Sequence, residues 1–438
     1  MTGRDWLPEL PLGWQAQRAD AVLEYRKTPA RTAEFESAEV FHYSIPSIQE
    51  TGDGVLQNGS EIESDKISLN GGELIVSKLN PRKGCVMLTR PQPFPIVCST
   101  EFVPLVARPG FDSRFAFYVY TSTPIRELIS AVVQSVTRSH QRANPDDITK
   151  IWIPVPPPFQ QRAIADYLDR ETARLDALVA AKERVLGLLA EKRRALITRA
   201  VTRGLDPRAP LRDSGIPWLG EIPAHWELCH LKRVLATIDY GISESVGPVG
   251  AVAVLRMGDI QDGEVEYSKL GFVDAVDQAL LLRPGDLLFN RTNSLEQIGK
   301  VALFRRKADY PVSYASYLVR LRCGSRVLPE FLNWLLNSAF PVAWGRSEAL
   351  PAIGQANLNP NRYGYLPMAL PPLEEQKDII AAIHGAIGKL DAVRAATERT
   401  IILLKERRAA LIAAAVTGQI DAADFPAPVE FAPKERSC

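Results

Sequence analysis

The chain lacks the sequence signatures of enzymes that modify or cleave nucleic acids. It contains no Asn-Pro-Pro-Tyr/Phe quartet for amino methylation and no Gly-x-x-x-x-Gly-Lys-Ser/Thr phosphate-binding loop. Its five cysteines form no Cys-x-x-Cys pair, and only Cys229 has histidines close in sequence, His225 and His230; the scattered set argues against a zinc site and favours reduced thiols. We therefore expect a chain without catalytic or metal-binding residues. A self-sufficient methyltransferase or nuclease is the disfavoured alternative.

The chain also lacks a strong net charge and a long apolar run. The net charge is +1, so no global basic field points to nucleic acid, and any DNA-binding surface has to be local. No apolar run is long enough to cross a bilayer, and the N-terminal sequence has no signal-peptide pattern, so we expect a cytoplasmic protein. A globular composition and 438 residues suit two domains with appendages.

The sequence contains an internal repeat. Residues 156–206 align without a gap on residues 371–421, with roughly 22 of about 51 positions identical. A weaker match precedes each copy, in which Trp6, Leu7, Glu9, Pro11 and Trp14 align with Trp218, Leu219, Glu221, Pro223 and Trp226. Both Trp14 and Trp226 are predicted to anchor a core. The repeat predicts two tandem units with pseudo-twofold symmetry, which suits a nearly twofold target such as duplex DNA.

Each unit begins with a mixed α/β segment. Short apolar runs between glycine and proline clusters predict strands over residues 73–78, 86–88, 115–120, 251–256, 286–290, 300–304 and 317–321. Helices are predicted from Thr123 and over residues 329–337. The proline-rich residues 153–158 favour an extended path before the first long helix.

The two repeat copies predict long amphipathic helices. Apolar residues recur at steps of three and four, and each helix would be on the order of 60 Å long. Neither helix can bury its apolar stripe against its own domain alone, so pairing in an antiparallel intramolecular coiled coil is favoured. That arrangement would place one domain at each end of a rod. The alternative is that each helix packs across its own domain.

The motifs of the second half resemble those of a known family. Residues 371–377 (PPLEEQK) lead into an isoleucine-rich helix that ends in residues 417–421 (TGQID), which is similar to the conserved regions of type I restriction-modification specificity (S) subunits. Residues 283–292 (RPGDLLFNRT) resemble the family's GDILFSRTG strand and loop, and residues 213–226 resemble the lead-in to a target recognition domain. The similarity covers essentially the whole chain.

The resemblance implies an α+β fold and a non-catalytic DNA-binding function. It implies two target recognition domains that each read one half of a bipartite site in double-stranded DNA, separated by the coiled coil. It also implies two methyltransferase (modification) subunits and a helicase-nuclease (restriction) subunit as partners. No cofactor is expected in this chain, whereas S-adenosylmethionine, ATP and Mg are expected on the partner subunits.

The predicted division of the chain follows the repeat. Residues 1–155 form target recognition domain 1, residues 156–206 the central conserved region, residues 207–370 target recognition domain 2, residues 371–421 the C-terminal conserved region, and residues 422–438 a loose tail. Two alternatives stay open: the recognition subunit of a related restriction system of the type IIB or IIG kind, and a coiled-coil scaffold that does not bind DNA.

Candidate DNA-contacting residues lie in two segments of each domain. Cations can follow phosphates, and arginine, glutamine and asparagine side chains can pair with base edges. A loop after a predicted strand and a stretch before the proline boundary carry such residues in both domains. Solvated turns and capping contacts are the alternative interpretations. The candidates are Lys78, Asn80, Arg82, Lys83, Arg138, Gln141 and Arg142 in the first domain and Arg291, Thr292, Asn293, Lys300, Gln355, Asn357 and Arg362 in the second.

Overall fold

The structure of the protein, a computed structural model, describes residues 4, 6–132, 134–135, 141–217, 219–267, 270–305, 309–352 and 355–420. The chain divides into two compact units: unit 1 comprises Met1–Glu183 and Glu398–Cys438, and unit 2 comprises Arg184–Thr397. Each unit combines one globular region with parts of both long helices. The five-part division predicted from the sequence is a different one and stays a prediction.

Unit 1 contains thirteen described strands and five short helices before the first long helix. The strands are β1 (Gln15–Arg18), β2 (Leu23–Tyr25), β3 (Thr28–Ala30), β4 (Glu39–Tyr43), β5 (Val55–Asn58), β6 (Lys66–Leu69), β7 (Leu74–Ser77), β8 (Val86–Leu88), β9 (Ile96–Ser99), β10 (Phe102–Ala107), β11 (Gln134–Ser135), β12 (Gln141–Arg142) and β13 (Trp152–Val155). The helices are α1 (Ala19–Val22), α2 (Ile45–Thr51), α3 (Ser113–Thr121), α4 (Thr123–Ala131), α5 (Pro145–Thr149) and then the long α6 (Pro158–Arg203).

Two sheets form most of the globular region of unit 1. One has the strand order β2-β10-β7-β8 and the other the order β3-β6-β9-β4-β5, while β1 pairs with β13 and β11 with β12. Strand β10 runs antiparallel to β7, with Phe102 opposite Ser77. The end of β7 and the start of β10 therefore lie at the same edge of the sheet.

Unit 2 contains sixteen described strands and ends in the second long helix. The strands are β14 (Leu211–Asp213), β15 (Glu221–Pro223), β16 (Glu227–His230), β17 (Leu235–Tyr240), β18 (Val252–Leu255), β19 (Ile260–Gln261), β20 (Glu264–Val265), β21 (Gly271–Val273), β22 (Leu287–Asn290), β23 (Thr292–Asn293), β24 (Val301–Leu303), β25 (Val312–Tyr314), β26 (Leu318–Cys323), β27 (Leu350–Ala352), β28 (Gln355–Asn357) and β29 (Pro367–Leu370). The helices are α7 (Pro329–Leu336), α8 (Ala339–Glu348), α9 (Pro360–Tyr363) and the long α10 (Leu373–Val416).

The central sheet of unit 2 repeats that of unit 1. Its order is β17-β26-β22-β24-β20-β19, and the pairing of β26 between β17 and β22 matches the pairing of β10 between β2 and β7. Smaller sheets β21-β18-β25 and β23-β28-β27 and the pairs β14-β15 and β16-β29 complete the unit. The molecule is thus α+β, as the resemblance implied.

One predicted strand is wrong. Residues 115–120 (FAFYVY) lie in helix α3, which begins after Asp112. The Asp112 side chain accepts hydrogen bonds from the backbone N–H groups of Arg114 and Phe115, at 2.8 and 3.1 Å, and so caps the helix. Most of the run is buried, so it shows no alternation between polar and apolar residues, and the helix cap decides its conformation. The other predicted strands and helices each contain a described element of the expected type.

The long helices α6 and α10 pair antiparallel, and both units show this. In unit 1, Ile164 near the start of α6 shares a core with Val416 at the end of α10. Ion pairs follow the same course, with N to O distances of 2.9 Å between Arg408 and Asp176 and 3.5 Å between Lys405 and Glu183. In unit 2, the end of α6 and the start of α10 share a core, through Ala200, Val201, Ile379 and Ile383. The helix pair is the predicted intramolecular coiled coil.

A buried glutamine joins each long helix to its globular region. In unit 1, Gln161 accepts a hydrogen bond from the Asp112 N–H at 2.7 Å and donates to the Pro156 carbonyl at 2.7 Å. In unit 2, the repeat-equivalent Gln376 accepts from the Leu328 N–H at 2.8 Å and donates to the Pro371 carbonyl at 2.9 Å. Both side chains are fully buried. Each amide therefore satisfies backbone groups of the domain and of the proline boundary at once.

The repeated tryptophans lie beside the same joints. The Trp14 indole donates to Gln160 at 2.7 Å, and the Trp226 indole donates to the repeat-equivalent Glu375 at 3.1 Å. Trp226 is buried in the core of unit 2, and Trp14 is partly buried against the core of unit 1. The structure thus places both tryptophans as core anchors. None of the helices within the described ranges has the length and apolar character of a membrane span.

Replacing Gln376 by alanine should destabilise unit 2. The substitution leaves the Leu328 N–H and the carbonyls of Arg326 and Pro371 without their side-chain partner, which costs about 2 kcal/mol or more. Urea unfolding followed by tryptophan fluorescence would measure the loss. The matched control is the exposed Gln261, whose replacement by alanine should leave the midpoint almost unchanged. An equal effect of both substitutions would contradict the assigned role of the joint.

Candidate nucleic-acid interface

In unit 1, the two candidate segments lie side by side. The loop that follows β7 exchanges hydrogen bonds with the chain around β12: the Ala143 N–H donates to the Lys78 carbonyl at 3.0 Å, and the Asn80 N–H donates to the Gln141 carbonyl at 2.8 Å. Leu79 and Arg142 form a β-bridge at the same place. Lys78, Asn80, Gln141 and Arg142 therefore belong to one surface, although about 60 residues separate them in sequence.

In unit 2, the equivalent segments also meet. Strand β23 pairs antiparallel with β28, which sets Thr292 opposite Asn357 and Asn293 opposite Ala356. The Leu358 N–H donates to the Arg291 carbonyl at 2.7 Å. Residues that the sequence suggested as two separate groups thus form one surface in this unit as well.

The backbone hydrogen bonds define which residues correspond between the units. The Lys78 N–H donates to the Glu101 carbonyl, just before β10, and the Arg291 N–H donates to the Tyr317 carbonyl, just before β26. Strand β10 pairs with β7, and strand β26 pairs with β22. The carbonyls of Lys78 and Arg291 then accept from the second segment. Lys78 corresponds to Arg291, Asn80 to Asn293, Glu101 to Tyr317 and Arg142 to Asn357.

A short helical turn carries the exposed cations of unit 1. Residues Pro81–Lys83 form a 3-10 turn between Asn80 and Gly84, which both have left-handed φ angles, of 49° and 62°. A Cβ on Gly84 would lie 2.5 Å from Arg126 Cδ, so helix α4 covers this turn closely. Arg82 and Lys83 are exposed, and neither forms an ion pair within the part of the chain that the structure describes. Their full charge is available to phosphates.

In unit 2, a hydrogen-bonded cluster holds the arginine of the loop. Arg291 Nη2 donates to Asn357 Oδ1 at 3.1 Å, and its guanidinium lies 5.1 Å from the ring centroid of Tyr240. Asn357 Nδ2 in turn donates to Thr292 Oγ1 at 3.3 Å. Tyr240 and Tyr317 are half-exposed aromatic rings on this surface. The cluster combines a cation, an amide and aromatic rings, which are the groups that contact bases and phosphates.

An ion pair between the buried Arg320 and the partly exposed Asp239 supports the strand that carries Tyr240. Arg320 on β26 donates to Asp239 Oδ2 on β17 at 2.7 Å and to the Ala279 carbonyl at 2.8 Å. Burial alone would raise the pKa of Asp239, but hydrogen bonds from Thr237 and Arg320 outweigh it and hold the pKa below its usual range. Asp239 therefore stays ionised at neutral pH beside the surface.

The remaining candidates lie apart from these contacts. Lys300 Nζ donates to Gln297 Oε1 at 2.6 Å within its own loop, and Arg362 on α9 lies 3.5 Å from Glu348 on α8. Gln355 is exposed at the start of β28. Arg138 lies outside the described residues. Whether any of the fourteen candidates contacts DNA stays a prediction.

Three residues of these surfaces were missed by the sequence analysis. Glu101, Tyr317 and Tyr240 lie next to the candidates only after the sheets have formed. Glu101 occupies a turn between β9 and β10, and its sequence context contains no signal that links it to residue 142. An exposed aromatic at the end of a strand, as at Tyr240, is a weak signal that could have been used.

Comparison with known proteins identifies the class. A family model described as the type I restriction modification DNA specificity domain matches residues 11–186. The EcoKI specificity subunit of Escherichia coli strain K12 is 24% identical over 82% of this chain and 77% of its own length. The MjaX specificity subunit of Methanocaldococcus jannaschii, a putative type I enzyme subunit, is 31% identical over 37% of this chain and 39% of its own length.

Solved structures share the fold. A chain from a structure of complex assembly and conformational transition in a type I R-M system aligns with a TM-score of 0.70 at 20% identity, over 94% of this chain and all of that chain. The HsdS subunit from Thermoanaerobacter tengcongensis aligns with a TM-score of 0.53 at 19% identity, over 94% of this chain and 99% of that chain. The matched domain, the relatives and the fold define a DNA-specificity protein. Residues 11–186 match the type I restriction-modification DNA specificity domain, and over most of its length the chain is similar to type I restriction-modification specificity subunits.

Removing Arg82 or Lys83 should weaken DNA binding without changing sequence preference. Each exposed cation is expected to neutralise about one phosphate, so alanine at either position should lower the slope of log K against log salt by about 1. Binding to cognate and unrelated duplexes would be titrated at several salt concentrations. The control is Arg108→Ala, an exposed cation after the other end of β10. A change in sequence preference, or an equal effect at Arg108, would refute phosphate contact by this turn.

Proposed function

We propose that each unit reads one half of a bipartite sequence in double-stranded DNA, while the helix pair sets the gap between the halves. The observation that carries the proposal is the repeated surface: in both units the same two segments meet beside the same sheet edge and bring cations and amides together. Their side chains differ between the units, so the two half-sites are expected to differ in sequence.

The partners and chemistry follow from the family. The chain would be the non-catalytic subunit, with two methyltransferase subunits docked on the helices and a helicase-nuclease subunit added for cleavage. S-adenosylmethionine, ATP and Mg would bind the partner subunits. Support comes from the sequence, which contains none of the three enzyme signatures sought.

Methylome sequencing tests the proposed function directly. A strain that expresses the chain with its modification subunit should methylate two short sequences separated by a fixed number of arbitrary base pairs. A strain that expresses the modification subunit alone is the control and should lack this pattern. A continuous site without a gap would contradict a bipartite target, and unchanged methylation in both strains would contradict the specificity role of this chain.

Shortening both helices should shorten the gap. Deleting residues 183–189 and 398–404, which are equivalent in the repeat, removes about two turns or roughly 10 Å from each helix, which corresponds to about three base pairs. The methylated half-sites should keep their sequences. The control replaces the same residues by another heptad with the same apolar positions, and its gap should stay at the original length. An unchanged gap in the deletion variant would show that the helices do not set it.

A further inference from the structure

An arginine and a glutamate form a two-point contact on the surface of unit 1. Arg142 Nη2 donates to Glu101 Oε1 at 2.9 Å, and Arg142 Nε donates to Glu101 Oε2 at 3.2 Å. The arginine side chain is 61% exposed and the glutamate side chain 23% exposed. Glu101 therefore lies beneath a cation that faces solvent beside the loop of Lys78 and Asn80.

The contact between Arg142 and Glu101 adds little to the stability of the fold, but it restricts the direction of the Arg142 guanidinium. Ion pairs that are exposed to solvent contribute little to the free energy of unfolding. Glu101 itself is held by its backbone, because its carbonyl accepts from the Lys78 N–H at 2.8 Å and its N–H donates to Ser99 Oγ at 3.3 Å. The carboxylate occupies one edge of the guanidinium. The N–H groups of Nη1 and the second N–H of Nη2 stay available to a bidentate acceptor.

Unit 2 has different side chains at the positions that correspond to Glu101 and Arg142. Tyr317 stands where unit 1 has Glu101, and Asn357 stands where unit 1 has Arg142. The arginine is moved to the loop as Arg291, where the neutral amide of Asn357 holds it. The positive charge of Arg142 in unit 1 is thus offset by a carboxylate, whereas Arg291 in unit 2 is held by a neutral amide that does not offset its charge.

We infer that Glu101 is a positioning residue that directs Arg142 to the O6 and N7 acceptors of a guanine in the half-site of unit 1, and that it offsets the charge of Arg142. The inference rests on the proposed function. Arginine pairs with guanine in this bidentate manner, whereas a mobile and uncompensated arginine binds phosphates of any sequence. Glu101 is therefore expected to weaken the attraction of Arg142 to phosphates and to strengthen its preference for guanine.

The test uses the full chain in complex with its modification subunit. The probes are duplexes with the methylated sequence and duplexes substituted at each half-site position in turn, with the half-site of unit 1 assigned by exchanging residues 1–155. Both Glu101→Ala and Arg142→Ala should lose about tenfold discrimination at one guanine of that half-site. Glu101→Ala should also bind unrelated DNA more tightly and raise the salt slope by about 1, because the positive charge of Arg142 is no longer offset by a carboxylate.

A conservative variant separates geometry from charge. The amide oxygen in Glu101→Gln still accepts a hydrogen bond, so this variant should recover most of the discrimination while keeping the raised salt slope. The control is Asp146→Ala, which removes the same charge from a nearby exposed pair with Lys150. It should raise the salt slope alone and leave discrimination at that guanine intact.

Three outcomes would overturn the inference: unchanged discrimination in Glu101→Ala, a parallel loss of binding to all duplexes, or a half-site without a guanine on either strand. The half-site of unit 2 serves as an internal reference and should be unaffected by every one of these variants. Failure of the wild-type complex to discriminate at either half-site would instead refute the proposed function.

Discussion

The joint between each globular region and its long helix depends on one buried side chain. Gln161 and Gln376 occupy the same position in the repeat, and each amide bonds to a domain N–H and to the carbonyl of the preceding proline boundary. Because the amide is fully buried, neither set of backbone groups has water as a substitute. The orientation of the helix is thereby tied to the strand and loop framework of its own unit, and the tryptophan beside each joint donates a hydrogen bond to the residue that precedes the glutamine.

A fixed framework permits the variable side chains to differ. In both units the backbone of one loop bonds to the backbone of the segment before the proline boundary, and these bonds use no side chain. Side chains at the corresponding positions can therefore change without loss of the framework, as Glu101 and Tyr317 illustrate. This separation of backbone framework from side-chain identity suits a protein in which two similar units have to recognise different sequences.

Sequence patterns predicted the elements that local chemistry determines. The proline boundaries, the heptad-like helices and the strand over residues 286–290 follow from spacing and from residue types that do not depend on distant contacts. The strand predicted over residues 115–120 was wrong because the helix cap at Asp112 outweighed the strand propensity of the aromatic residues in this run. The pairing of Arg142 with Glu101 could not be predicted, since it depends on the register of β7 and β10 and on a bridge that closes only in the folded chain.

The near-zero net charge of the chain is compatible with DNA binding because opposite charges are placed selectively. Several arginines are neutralised where they serve the fold, as Arg320 is by Asp239 in the central sheet of unit 2. Arg142 is neutralised at the surface, where the carboxylate fixes its direction. Arg82 and Lys83, by contrast, lie on an exposed turn beside helix α4, with no acidic partner among the described residues. The net charge of the whole sequence does not distinguish an arginine paired inside the fold, an arginine paired at the surface and an unpaired surface cation. These three attract a DNA phosphate to different extents. The local arrangement of acids around each arginine therefore determines whether it contributes to folding, to sequence preference or to general affinity.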